Sequence, residues 1–271
     1  MIKRLLIFIL VLFLILLYFL KTNLSSSNNL EFTRYKFIAH AGGGINDIAY
    51  SNSMEGLINS IKLGFKLIEL DLLETKDGFI VAAHDWKSFK QNCVGYNGQI
   101  NEVPLTYKEF NDCNFEINSM NLSQLNEKKI IDIFNKYPDL YLVTDKINNY
   151  SLLSKKFNFV ERIIPETFSV KDFIFAKIYN FNNALYPFKK YNFIFNYLLN
   201  IETLTISYND FIKNEQTVTS LFEKGLNIYV YTSNDQFFIE KYLDKSITGV
   251  YTDFWDFNLK NCMSSIKCNS Y

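Results

Sequence analysis

Residues 67–85 read LIELDLLETKDGFIVAAHD. Two apolar runs within them, 67–72 and 79–84, read as strands, and they lie too close together for a helix between them. Glu69 and Asp71 end the first run as i and i+2, so both side chains point to one face. Carboxylates held side by side repel unless a cation or a proton intervenes. A hard divalent cation, Ca²⁺ or Mg²⁺, prefers oxygen ligands and answers that need. His84 ends the second run, and Asp85 after it is placed to orient the ring or to serve the loop that follows.

Outward from this stretch the pattern recurs. Strand-like runs occur at 36–40, 140–146, 162–168, 184–188, 203–208, 227–232 and 249–252, most of them separated by segments with helical spacing. Residues 53–63 place Met54, Leu57, Ile58 and Ile61 on one face and stop at Gly64; residues 125–137 do the same with Ile130, Ile131, Ile133 and Phe134. Such alternation predicts an α/β chain folded as an irregular (β/α)8 TIM barrel. Nine runs compete for its eight positions, and 184–188 and 203–208 are the weakest. Residues 86–122 show no clear strand and read as an insert after the third run. A barrel of this kind builds its site at the C-terminal ends of its strands, where His40, Glu69, Asp71 and His84 all fall. A single histidine closing an apolar strand is ordinarily a structural group. Here both histidines of the chain and an acidic pair share the first three strand ends, which predicts a metal-assisted acid–base site.

Of the 271 residues 48% are hydrophobic and 21% charged, enough apolar matter for a packed core and too much for a disordered chain. Lys+Arg and Asp+Glu are equal at 28 each, with no basic stripe, which argues against a nucleic-acid partner. Residues 5–20 are apolar and flanked by Lys3, Arg4 and Lys21. No small-x-small site follows them, so they read as an uncleaved transmembrane anchor, with the catalytic domain extracytoplasmic. The expected organisation is an anchor over 1–22, a polar linker over 23–34, a barrel over 35–258 with its insert at 86–122, and a tail over 259–271. The four cysteines lie on the exported side, where proximity pairs Cys93 with Cys113 and Cys262 with Cys268. No C-x-x-C pair is present to suggest zinc.

The order of the local motifs adds to this. Ile38-Ala39-His40-Ala41-Gly42-Gly43, Asn52-Ser53, Gly64-x4-Glu69-x-Asp71, Thr75-Lys76-Asp77-Gly78, Val81-x-x-His84-Asp85, Val230-Tyr231-Thr232-Ser233-Asn234 and Gly249-Val250-Tyr251-Thr252-Asp253 together resemble the glycerophosphodiester phosphodiesterase family. The resemblance implies a barrel enzyme that hydrolyses a phosphodiester with a divalent metal. Glu69 and Asp71 would be metal ligands, and His40 and His84 the acid–base pair. A substrate hydroxyl would attack phosphorus to give a cyclic phosphate that water then opens.

Three departures stand out. The arginine of the family's H-R-G is Ala41, with the backbone N–H groups of Gly42, Gly43 and Gly44 offered as an anion nest in its place. The glutamate of P-E-N-T is Ser51, leaving Asn52 or Ser53 to cap the following helix. Where the family carries E-x-K, this chain has the adjacent Asp145 and Lys146. Asp145 becomes the third expected metal ligand, and Lys146 reaches phosphate only if the strand ends or bulges there. Glu166 and Trp86 are further substrate-binding candidates, with Trp255 near the final strand. The expected substrate is a small phosphodiester, or an envelope glycan or lipid reached from the anchor. The alternatives are a phospholipase C-like or sphingomyelinase D-like lipid phosphodiesterase, and a non-catalytic barrel that only binds.

Overall fold

The computed structural model describes residues 31–264 and 268. The predicted anchor at 1–22 lies outside the described residues, and among those described no helix is long and apolar enough to cross a membrane. Eight parallel strands build the domain: β1 Phe37–Ala39, β2 Leu67–Glu74, β3 Tyr141–Asp145, β4 Ile163–Pro165, β5 Tyr186–Pro187, β6 Thr203–Ser207, β7 Asn227–Tyr231 and β8 Gly249–Thr252. Each except β4 pairs with the next in chain order, and β8 pairs with β1. The ring closes between β4 and β5 through the bridge of Glu166 to Leu185. The expected TIM barrel is thus the observed architecture.

The surplus strand is the run at 79–84; the runs at 184–188 and 203–208, the weakest on sequence, both supply barrel strands. Only residues 75–79 separate β2 from strand Ile80–Ala82, whereas a parallel crossover takes about a dozen residues or more. The chain therefore turns back and pairs Ile80–Ala82 antiparallel with the end of β2. The insert is more ordered than its composition suggested. It contains the helices Trp86–Gln91 and Tyr107–Asn111 and a three-stranded sheet of Cys93–Val94, Asn114–Ile117 and Met120–Asn121. Phe89, Leu105, Phe110 and Phe115 form its own core, closed by the Cys93–Cys113 disulfide; Cys262 pairs with Cys268.

Helix Met54–Leu63 begins where Ser53 Oγ accepts the Gly56 N–H at 3.1 Å and ends at Gly64, which takes the left-handed conformation that glycine adopts without strain. Its buried Leu57 joins the layer between strands and helices, with Ile68, Leu70, Leu142 and Val250. A second cluster fills the barrel itself: Ile38, Leu67, Val143, Ile164, Tyr229 and Tyr251. Side chains alternate along a strand, so the residue two places beyond each of these also faces inward, one layer nearer the mouth. Those residues are His40, Glu69, Asp145, Glu166, Tyr231 and Asp253, and Asp71 lies two further along β2.

Gly249 marks where β8 passes close to its neighbours. A Cβ there would sit 2.2 Å from the Lys36 carbonyl oxygen and 2.6 Å from the Tyr229 ring. Backbone cannot yield as a side chain tip does, so Gly249→Ala is expected to cost about 1–3 kcal/mol of stability. A lowered midpoint in urea unfolding with an unchanged slope checks this.

Candidate active site

The three carboxylates Glu69, Asp71 and Asp145 come together with one oxygen of each within 4.8 Å of the others. Glu69 and Asp71 are buried. Glu69 Oε2 accepts the Ala41 N–H at 2.6 Å. Asp71 is gripped twice by Asn52: Asn52 Nδ2 donates to Asp71 Oδ2 at 2.8 Å, and the Asp71 N–H donates to Asn52 Oδ1 at 3.0 Å. Burial, followed by the charges of Asp71 and Asp145, pushes the Glu69 carboxyl well above its ordinary range. Burial raises Asp71 as well, against the Asn52 hydrogen bond. Three inward carboxylates meeting at one point form a hard-oxygen donor set, and such a set fits a divalent cation.

Lys146 shows how adjacent residues serve one site. β3 ends at Asp145, and Lys146 takes φ 64°, which turns its side chain back to the mouth instead of across the sheet. Its Nζ lies 3.1 Å from Asp145 Oδ2 and 3.8 Å from Asp71 Oδ1. Glu166 accepts a hydrogen bond from the Tyr251 hydroxyl, and burial with the Asp145 charge pushes its carboxyl up to about 8. A cavity of 260 Å³ has His40, Tyr50, Glu69, Asp145, Lys146 and Glu166 in its wall.

The two histidines are held in different ways. His40 is buried, its Nδ1 3.0 Å from Asp253 Oδ1. Asn234 donates to the other Asp253 oxygen at 2.9 Å, and its own Oδ1 accepts the Thr252 hydroxyl and the Asp253 N–H, both at 2.7 Å. That network fixes the carboxylate, and the carboxylate fixes the ring. His84 is more open, with Nδ1 2.7 Å from Asp85 Oδ2. Asp85 does both things expected of it, since it also caps helix Trp86–Gln91 by accepting the Ser88 N–H at 2.7 Å. Tyr50 stands between the two imidazoles, with ring centroids 4.3 Å from His40 and 5.2 Å from His84.

Several expected contacts are absent. The expected anion nest is largely taken up: the Gly43 N–H is spent on the His40 carbonyl and the Gly44 N–H on that of Asp253. Gly43 is needed for space, because a Cβ there would meet Ser60 Oγ at 1.9 Å. Trp86 turns into the core of the insert, directed there by the cap at Asp85. Trp255 is buried and stacks on Phe37 at 4.7 Å, so neither tryptophan lines a substrate cup. Ser53 caps the helix, which leaves Asn52 for Asp71. The sequence assigns no role to Tyr50 or Asp253; Asp253 closes the Gly249-to-Asp253 motif, and Tyr50 stands where P-E-N-T has its proline, a position that does not mark a functional side chain.

The family model for the glycerophosphoryl diester phosphodiesterase family matches residues 40–185, more than half of the chain. No curated protein matches in sequence. Among solved structures, an Oleispira antarctica phosphodiesterase in complex with the product sn-glycerol-3-phosphate is similar, with a TM-score of 0.65, 18% identity, and 82% of this chain and 94% of that one covered. A glycerophosphodiester phosphodiesterase from Parabacteroides distasonis gives 0.62 at 16% identity over 80% and 92%. One from Thermotoga maritima gives 0.56 at 21% identity over 81% and 94%. At these identities the structures speak for the barrel, whereas the family match runs from His40 through Glu69, Asp71 and His84 to Leu185, just before β5. This chain therefore belongs to the glycerophosphoryl diester phosphodiesterase family and is a phosphoric diester hydrolase.

Proposed function

We propose that the enzyme cleaves a glycerophosphodiester with a divalent cation held by Glu69, Asp71 and Asp145 and with His40 and His84 as its acid–base pair. The observation that carries this reading is the meeting of three carboxylates, Lys146 and both histidines at one barrel mouth. A divalent cation bound by these carboxylates would supply charge neutralisation to the phosphoryl oxygens. Lys146 adds a positive charge on the same side, which offsets the absence of an arginine at Ala41. One imidazole removes the proton from the glycerol hydroxyl next to the phosphodiester, and that oxygen attacks phosphorus. The other imidazole protonates the departing alkoxide as the P–O bond breaks. Water then opens the cyclic phosphate with the proton roles reversed, leaving glycerol phosphate and a free alcohol.

The presence of these groups favours an enzyme over a barrel that only binds. Residues 5–20 are proposed as the anchor, with the barrel outside the cytoplasm; the two disulfides suit an oxidising compartment. The test is glycerol phosphate release from glycerophosphodiesters by the purified chain. Turnover is expected with Ca²⁺ or Mg²⁺ and is expected to be lost in EDTA and restored on adding the ion. Full turnover in EDTA would refute the cation, and no turnover under any condition would refute the reaction.

A further inference from the structure

A second cavity, of 410 Å³, has His40 in its wall but none of Glu69, Asp71 and Asp145. The two cavities share His40, Tyr50 and Tyr231 in their walls. We propose that this second cavity receives the leaving alcohol and that the alcohol is a sugar or a cyclic polyol. The proposal rests on the phosphodiesterase reading above and names the substrate class for that site.

Position comes first. A phosphate held over the carboxylates with one ester oxygen toward His40 sends the substituent on that oxygen into the larger cavity. Size comes next. A volume of 410 Å³ corresponds to roughly a dozen water-sized groups at about 30 Å³ each. A three-carbon glyceryl arm leaves most of it empty, so the bulkier arm belongs here.

Wall chemistry then selects the class. Tyr50, Tyr208 and Tyr231 line the cavity, and Tyr50 and Tyr231 are 48% and 38% exposed, unlike the fully buried Tyr229 and Tyr251 of the barrel interior. Asn209 and Thr232 add amide and hydroxyl groups. Among the described residues no lysine or arginine lines the cavity, and the one carboxylate among them, Asp253, has its oxygens engaged by His40 and Asn234. The wall thus offers no open charge to a charged arm. It offers the negative faces of aromatic rings to C–H groups, and neutral donors and acceptors to hydroxyls. A sugar or inositol ring carries both on one rigid frame.

The experiment compares three diesters of glycerol phosphate whose leaving alcohols are inositol, choline and methanol. The inositol diester is expected to show a kcat/KM at least tenfold above the other two. Tyr208→Ala and Asn209→Ala are each expected to reduce the inositol-to-methyl ratio several-fold, and Tyr208→Phe is expected to restore it. A preference for the choline diester overturns the proposal, as does an equal loss on all three substrates in both alanine variants. Binding of myo-inositol and a methyl glucoside, read by saturation-transfer NMR, decides the cavity without turnover. Saturation transfer to the ring protons that disappears in Tyr208→Ala supports the subsite, and its absence in the wild type overturns it. Failure to hydrolyse any diester would instead count against the phosphodiesterase reading alone.

Discussion

Glu69→Gln is expected to lower turnover by at least about 10³-fold, because charge stabilisation by a bound cation is worth several kcal/mol and each 1.36 kcal/mol is a factor of ten. Glutamine keeps the size of the side chain and an oxygen to accept the Ala41 N–H. What it removes is one of three negative charges whose mutual repulsion and burial raise the Glu69 carboxyl well above its ordinary range. Without added metal the variant should therefore unfold at a temperature no lower than the wild type, since a repulsive charge has gone from the interior. With metal the order reverses. A cation present at a hundred times its dissociation constant stabilises the wild type by about 2.7 kcal/mol, and the variant should show little of that shift. Thermal unfolding with EDTA and with Ca²⁺ or Mg²⁺, beside diester turnover, reads both effects. A Glu69→Gln protein with wild-type turnover and a wild-type metal shift would remove the cation from the carboxylate cluster.

The site was more legible than the barrel that holds it. Glu69 and Asp71 could be placed on one face because strand alternation is local, and the same rule puts His40 and Asp145 into the mouth once Ile38 and Val143 are known to face inward. Lys146 was ambiguous because its direction depends on one backbone angle at the end of β3, which composition does not reveal. The nine-for-eight strand count went wrong at 79–84, where apolar content is the same for a barrel strand and a hairpin arm. Connection length separates the two. Trp86 was misplaced for a related reason: adjacency to His84 in the chain says nothing about which side of the Asp85 cap it turns to. Asp253, Asn234 and Tyr50 are far from their partners in sequence or lack a marking pattern, and only closure of the barrel between β8 and β1 brings Asp253 to His40.

That contact leads to the other large effect. His40→Ala is expected to reduce kcat by about 10²–10⁴-fold, the usual worth of a positioned acid–base group. Asp253 acts through the imidazole as a positioning residue, so Asp253→Asn should cost less, roughly 10–100-fold, the scale seen when a hydrogen-bonded orienting partner is removed. The buried geometry makes a sharper claim than either number. Asp253 Oδ1 meets His40 Nδ1 at 3.0 Å, while Asn234 occupies the other oxygen. If orientation of His40 is what Asp253 contributes to turnover, then once the imidazole is gone the second substitution has nothing left to disturb. The double variant His40→Ala with Asp253→Asn should then be no slower than His40→Ala alone, a strongly non-additive cycle. Independent losses that multiply would show Asp253 supporting the loop around Asn234 and Phe254 rather than the ring. Thermal unfolding of the same four proteins separates that case, because a structural role lowers the midpoint in both backgrounds, whereas an orienting role is lost from the rate only while His40 is present.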